Sequence, residues 1–172
     1  MNDGNNDTGG YHRQVSIDSL SANERSIPVD FPSTALAAVA ERLEVEGVLA
    51  LSGSFSLTRK DRIIHVSGAV EARLVRQCVL SLEEMEEAVS DSFSFELEQV
   101  DTLPDLAGEI DIDADMPEPF VGDTIDLADL AIQQVSLAMD PFPRKQGAEP
   151  VRDEGEQPSL SPFSVLKSMK ED

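Results

Sequence analysis

The chain has 172 residues, 40% of them hydrophobic and 5% aromatic, with 13 Lys and Arg against 34 Asp and Glu and a formal net charge of -21. That length suits one domain with loose ends, and that charge excludes broad electrostatic adhesion to a nucleic-acid backbone while suiting basic partners. The lone cysteine, Cys78, excludes an internal disulfide. The polar start MNDGNNDTGGYHRQ carries no secretory signal, and no apolar run approaches the about 18 residues of a membrane span, so a soluble cytoplasmic chain is expected.

Residues 1–22 are rich in Gly, Asn, Asp and Ser, without periodicity, and read as a disordered arm. SIPVDF, 26–31, reads as a short strand stopped by Pro32, with Ser33 placed to cap a helix. In STALAAVAERLEVEG, Leu36, Val39, Ala40 and Leu43 recur at helical spacing, and Gly47 is the expected C-terminal stop.

The period then changes from 3.6 to 2. Leu49, Leu51, Phe55 and Leu57 share one parity, as do Ile64, Val66, Val70, Ala72 and Leu74, with TRKDR as the turn between. This predicts a long antiparallel hairpin. Gly53 and Gly68 interrupt the two apolar faces, where a bulge or bend would give a curved, partly barrel-like sheet. A third strand is expected over 84–97, with Met85, Val89, Phe93, Phe95 and Leu97 inward. Glu87 and Asp91 break its apolar face and suggest an edge or a bend.

The stretch 99–123 is acidic and broken by Pro and Gly. It reads as loop, with a short strand near Ile110–Ile112 or Phe120. TIDLADLAIQQVSLAM predicts a second helix. Asp126 is its N-cap, Leu127, Leu130, Ala131, Ile132 and Val135 form its apolar surface, and Pro141 lies beyond its end. Residues 144–172 read as a flexible tail ending in a short amphipathic helix near 162–170, with Pro162 in its first turn and Phe163 and Leu166 on one face. Clustered strands favour an α+β fold with an antiparallel sheet and two helices, the ordered domain running over 23–143.

Catalytic signatures are scarce. A base for Cys78 would have to be His12, in the arm, or His65, on the solvent parity of a strand. Asp111, Asp113 and Asp115 alternate as hard-cation ligands do. With Asp111 as first ligand, however, Met116 and Gly122 fall where a calcium loop needs Gly and Glu. Zinc would want more thiolates and imidazoles than one cysteine supplies. No catalytic residue, cofactor or metal ligand is therefore expected. A metal-dependent hydrolase using the acidic loop is the least favoured alternative. Basic residues gather as Arg59, Lys60 and Arg62 at the hairpin tip and Arg73 and Arg76 toward the end of the next strand, where direct RNA contact is conceivable. With Tyr11 the only tyrosine and no tryptophan, a base-stacking platform is not indicated.

The pieces VEGVLALSGSFSL, HVSGAVEARLVRQCVLSLEEM, DTIDLADLAIQQVSLAMDPFPRKQGA and SPFSVLKSMK, in that order, resemble the YceD family, the large ribosomal RNA subunit accumulation proteins, in its alphaproteobacterial type. The resemblance runs from about Ile27 to Lys170. It implies a non-enzymatic cytoplasmic factor supporting synthesis, processing or stability of 23S ribosomal RNA in large-subunit assembly. Its partner would be a ribosomal protein or another precursor component, with ribosomal RNA contact as the alternative and no membrane or small-molecule substrate. The family-motif positions carried over are Gly68, Cys78, Asp126, Leu127, Pro141, Pro143, Pro162, Phe163 and Leu166. Many members carry C-x-x-C where this chain has Cys78 and Ser81, so a paired-thiol role has no second thiol here. Cys78 itself reads as a small buried hydrophobe at a strand end, where a stretch without Lys or Arg begins at Gln77 and lasts to Pro143.

Overall fold

The computed structural model describes residues 11–103 and 117–151. In chain order these form β1 (Gln14–Ser16), a single 3-10 turn (Ile17–Ser19), β2 (Arg25–Asp30), α1 (Leu36–Leu43), β3 (Gly47–Lys60), β4 (Ile63–Gln77), β5 (Glu84–Gln99), β6 (Glu118–Phe120), β7 (Thr124–Asp126) and α2 (Leu127–Ala138). The fold is α+β. A five-stranded sheet has the order β2-β3-β4-β5-β6, and β1 pairs with β7 in a second, two-stranded sheet.

Alternation built the long hairpin as expected. Ile64, Val66, Val70, Ala72 and Leu74 of β4 are all buried, as are Leu51, Phe55 and Leu57 of β3. Side chains such as Phe55, Leu57, Ile64 and Leu74 lose all solvent contact. Each contributes about 1.5–3 kcal/mol by burial. Both helices pack on this face, α1 against β3 and α2 against β4 and β5. α2 offers Leu127, Ala131, Ile132 and Val135 to the core. The opposite face carries short polar side chains, with Ser26, Ser56, Ser67 and Ser94 in register across four strands.

Several expectations are corrected. The irregularity falls at Leu49, between Val48 and Ala50, and not at either glycine. This bulge resets the parity, so Val48 is buried and Leu49, expected inward, is 42% exposed. At Gly68 the ladder is regular, and the residue serves close packing: an added Cβ would lie 2.3 Å from the Ser54 carbonyl oxygen and 2.9 Å from the Phe93 ring. The sheet does not close into a barrel, and it is mixed, because β6 joins β5 in parallel over Leu97–Gln99. A parallel neighbour needs a crossover, which the long connection after Gln99 supplies. Pro28, which has no amide to donate, is accommodated because β2 is an edge strand.

α1 begins later than Ser33 suggested. Ala35 stands at its N-cap with no side-chain hydrogen bond, after a turn closed by Ala35 N–H to the Pro32 carbonyl at 2.9 Å. Its left-handed terminal residue is Glu44 (φ 54°), and Gly47 already belongs to β3. α2 starts where expected: the Asp126 carboxylate accepts the Ala128 N–H at 3.0 Å.

The arm assigned to 1–22 is not loose over its described part. Val15, Ile17 and Leu20 are buried, and the Tyr11 ring lies 4.9 Å from that of Phe31. Three apolar side chains in a polar segment carry too little pattern to read, yet suffice to hold it once β7 offers a pairing edge. The first part of the expected tail is also attached. Val151 N–H reaches the Leu80 carbonyl at 3.0 Å. Among the described residues no helix is long and apolar enough to cross a membrane.

Candidate functional site

The two features that the sequence offers as sites, the acidic half and the end of β4, meet in three dimensions. Beyond Arg76 the chain leaves β4 and turns at Cys78–Glu83 before β5 begins. The Cys78 N–H donates to the Glu83 carbonyl and the Leu82 N–H to the Cys78 carbonyl, both at 2.9 Å, and Leu82 adopts a left-handed conformation (φ 57°). The segment after α2 returns to this turn. Val79 N–H donates to the Pro143 carbonyl at 2.9 Å, and Lys145 Nζ pairs with Glu83 at 2.8 Å. One turn of β4–β5 is thereby tied to 140–151.

Cys78 is buried at the centre of this junction. Its Sγ accepts the Ser81 N–H at 3.5 Å and the Lys145 N–H at 3.3 Å. Hydrogen bonding from Ser81 and from the Lys145 N–H favours the thiolate against the cost of burial and lowers the thiol to about 6, although the buried Ser81 hydroxyl has no hydrogen-bond partner among the described residues. The small-hydrophobe reading thus understates Cys78, which is also a polar anchor for the returning chain. Among the described residues no histidine hydrogen-bonds this thiol. The contact with Glu83 holds that carboxyl below its ordinary value and raises the Lys145 ammonium.

Along β5 and on toward β6 and β7 the exposed charge is negative. Glu84, Glu86, Asp91 and Glu96 are exposed along β5, and Glu118 and Asp123 follow beside β6 and β7. Among the described residues Glu84, Glu86, Asp91 and Glu118 take part in no ion pair. β6 pairs only with the last residues of β5, so over Glu84–Glu96 the outer backbone edge of β5 is unpaired by any described strand. The edge that Glu87 and Asp91 suggested is therefore real. Glu87 itself has a structural partner: it accepts from Arg76 at 2.7 Å and from the Asp140 N–H at 3.0 Å.

The five basic candidates do not form one patch. Arg59 is held by Asp18 (3.2 Å), the Ile17 carbonyl (3.1 Å) and Gln99 (3.1 Å). Arg62 meets Asp101 at 3.4 Å, and Arg76 is occupied by Glu87 and the Asp140 carbonyl. Lys60, at the hairpin tip, and Arg73, on the outer face of β4, stand apart at opposite ends of the ladder.

Of the positions singled out by the sequence resemblance, Cys78, Pro141 and Pro143 come together at the junction. Pro141 and Pro143 line a small hollow of about 200 Å3 with Val79 and Arg76. Gly68 sits apart in mid-strand, and Asp126 and Leu127 open α2 at its other end. Pro162, Phe163 and Leu166 lie outside the described residues, as do Asp111, Asp113 and Asp115. Among the described residues no group of three or more His, Cys, Asp or Glu is placed to hold a metal.

Both histidines have carboxylate neighbours. His65 is exposed as expected, 3.9 Å from Glu96. His12, expected in a loose arm, instead bonds Asp126 at 2.6 Å. Burial raises the Asp126 carboxyl, but the Arg13 N–H, His12 and the Ala128 and Asp129 N–H groups outweigh it, and the net shift is downward. Arg42 of α1 pairs with Asp129 of α2. Sequence reading missed all of these long-range pairs because nothing local marks them.

A second concave surface lies between α2, β5 and β6. It encloses about 410 Å3 over Phe95, Leu97, Phe120, Leu130 and Leu137, with Glu118 and Asp129 at the rim. No family model, no curated protein and no solved structure matches this chain.

Proposed function

We propose that this chain is a non-catalytic, cytoplasmic factor of the YceD type. It supports 23S ribosomal RNA accumulation during large-subunit assembly by engaging a basic ribosomal protein or precursor component. The observation that carries the reading is the placement of the charge. The run without Lys or Arg from Gln77 to Pro143 supplies β5 with exposed carboxylates beside an edge unpaired by described strands. A basic partner meeting this side would be steered by charge and held by short-range contacts; an open edge also offers main-chain hydrogen bonds to an extended basic segment.

Direct RNA contact is less well supported, because Arg59, Arg62 and Arg76 already have acceptors on the chain. The test is pull-down of pre-ribosomal material with the full chain at rising salt. Recovery of basic large-subunit components at low salt and their loss as salt rises is the expected result. Recovery of only acidic partners, or none from pre-ribosomal material at low salt, removes the reading.

A further inference from the structure

We infer that the groove between α2, β5 and β6 is the seat of the chain's own C-terminal segment, 162–170. Five observations lead there. The lining is mixed: Phe95, Leu97, Phe120, Leu130 and Leu137 form its apolar part, beside Gln133, Gln134 and the carboxylates, and Leu137 is 73% exposed with nothing described above it. At about 410 Å3 the groove falls in the range of about 300–1,000 Å3 typical of sites that take apolar groups. The segment PFSVLKSMK presents Phe163, Leu166 and Met169 at helical spacing, an apolar stripe too short to be stable without a surface to bury it.

Charge agrees. Glu118 lines the groove and takes part in no ion pair among the described residues, Asp126 and Asp129 beside it being engaged by His12 and Arg42, and no Lys or Arg lines it, whereas the segment carries Lys167 and Lys170. Reach agrees as well. The described chain ends at Val151, held to Leu80 in the turn that Pro143 also grips. Leu137, at the near end of the groove, precedes by three residues Asp140, whose N–H is fixed to Glu87. From Val151 to Phe163 the chain can span up to about 40 Å, far enough to enter the groove from that end. A tether of this length holds its own segment at a local concentration on the order of millimolar, which favours it over a second copy or a free peptide. The inference is independent of the ribosomal reading: an occupied groove is compatible with any partner on the β5 edge.

The test uses the full chain with the photo-crosslinker p-benzoylphenylalanine at position 163, as an equal mixture of light and heavy isotope-labelled protein. The expected products join position 163 to peptides containing Phe95, Leu130 or Leu137 within one chain. Products joining light to heavy chains, products elsewhere on the surface, or no product overturn the inference. A second measurement does not depend on crosslinking chemistry. In the full chain carrying F163D and L166D, the methyl resonances of Leu130 and Leu137 should shift relative to wild type while those of Leu51 and Leu74 stay in place. Unchanged Leu130 and Leu137 methyls overturn it.

Discussion

Replacing Gly68→Ala tests the packing at the centre of the sheet. The new Cβ would sit 2.3 Å from the Ser54 carbonyl oxygen, well inside the 3.0 Å below which such contacts essentially do not occur, and 2.9 Å from the tip of Phe93. The ring can rotate away. The carbonyl cannot, because it belongs to β3, paired with β4 along nearly its whole length. Overpacking of this kind costs about 1–3 kcal/mol, and parting the ladder weakens one or two hydrogen bonds at about 0.5–1.5 kcal/mol each. Reduced freedom of the unfolded chain returns about 0.4–1 kcal/mol. The net expectation is a loss of about 2–4 kcal/mol. Urea unfolding followed by far-ultraviolet circular dichroism should show a lower midpoint at unchanged slope, and the melting temperature should fall by about 5–15 °C. Gly53→Ala is the internal control, since its nearest contacts of 3.2–3.3 Å are tight without being prohibitive, and it should cost about 1 kcal/mol or less. Adding Phe93→Leu to Gly68→Ala should recover only a minor part, because the carbonyl clash remains. A Gly68→Ala protein within about 0.5 kcal/mol of wild type would refute the reasoning.

Asp126→Ala removes the α2 cap and the anchors of His12 and Arg13 together and should cost about 2–3 kcal/mol, with Asp126→Asn losing less because it still caps; equal losses in the two variants would show that the cap contributes nothing. Since the folded Asp126 carboxyl lies below its ordinary value of 3.8, its stabilisation is present above that pH and is lost as pH falls through the folded value. Acid unfolding of Asp126→Asn should therefore lack that increment, and curves of identical pH dependence would contradict the assignment. For Cys78, thiolate absorbance in the native protein should titrate near pH 6; a native midpoint above about 8 would mean that the backbone donors around the sulfur do not act as described. The thiol is lowered on folding, so its contribution to stability is complete above the unfolded value near 9 and disappears as pH falls through 6.

Local patterning made most of the fold legible. The parity of Ile64 to Leu74 and the capped run from Asp126 announced β4 and α2 because period and cap chemistry are local signals. Leu49 shows where that reading ends: a one-residue bulge depends on how two strands meet, and no residue in VLAL announces it. β1 was hidden for a similar reason, since Val15 and Ile17 become apolar anchors only when β7, more than a hundred residues away, is beside them. The junction at Cys78 was half legible. The cysteine and the break in charge stood out, but the return of Pro143 and Lys145 is a tertiary event. The basic residues were easiest to see and least informative, because sequence does not show that Arg59, Arg62 and Arg76 already have acceptors.

The central claim is that exposed carboxylates along β5 recruit a cationic component of the assembling large subunit. The most direct measurement compares material co-purifying at low salt with the wild-type chain and with a variant carrying Glu84→Gln, Glu86→Gln and Glu96→Gln, followed by identification of bound protein and RNA. The account predicts that basic large-subunit components accompany the wild type, are lost as salt rises, and are depleted from the variant. Equal recovery with both chains, or wild-type recovery indifferent to salt, would contradict it.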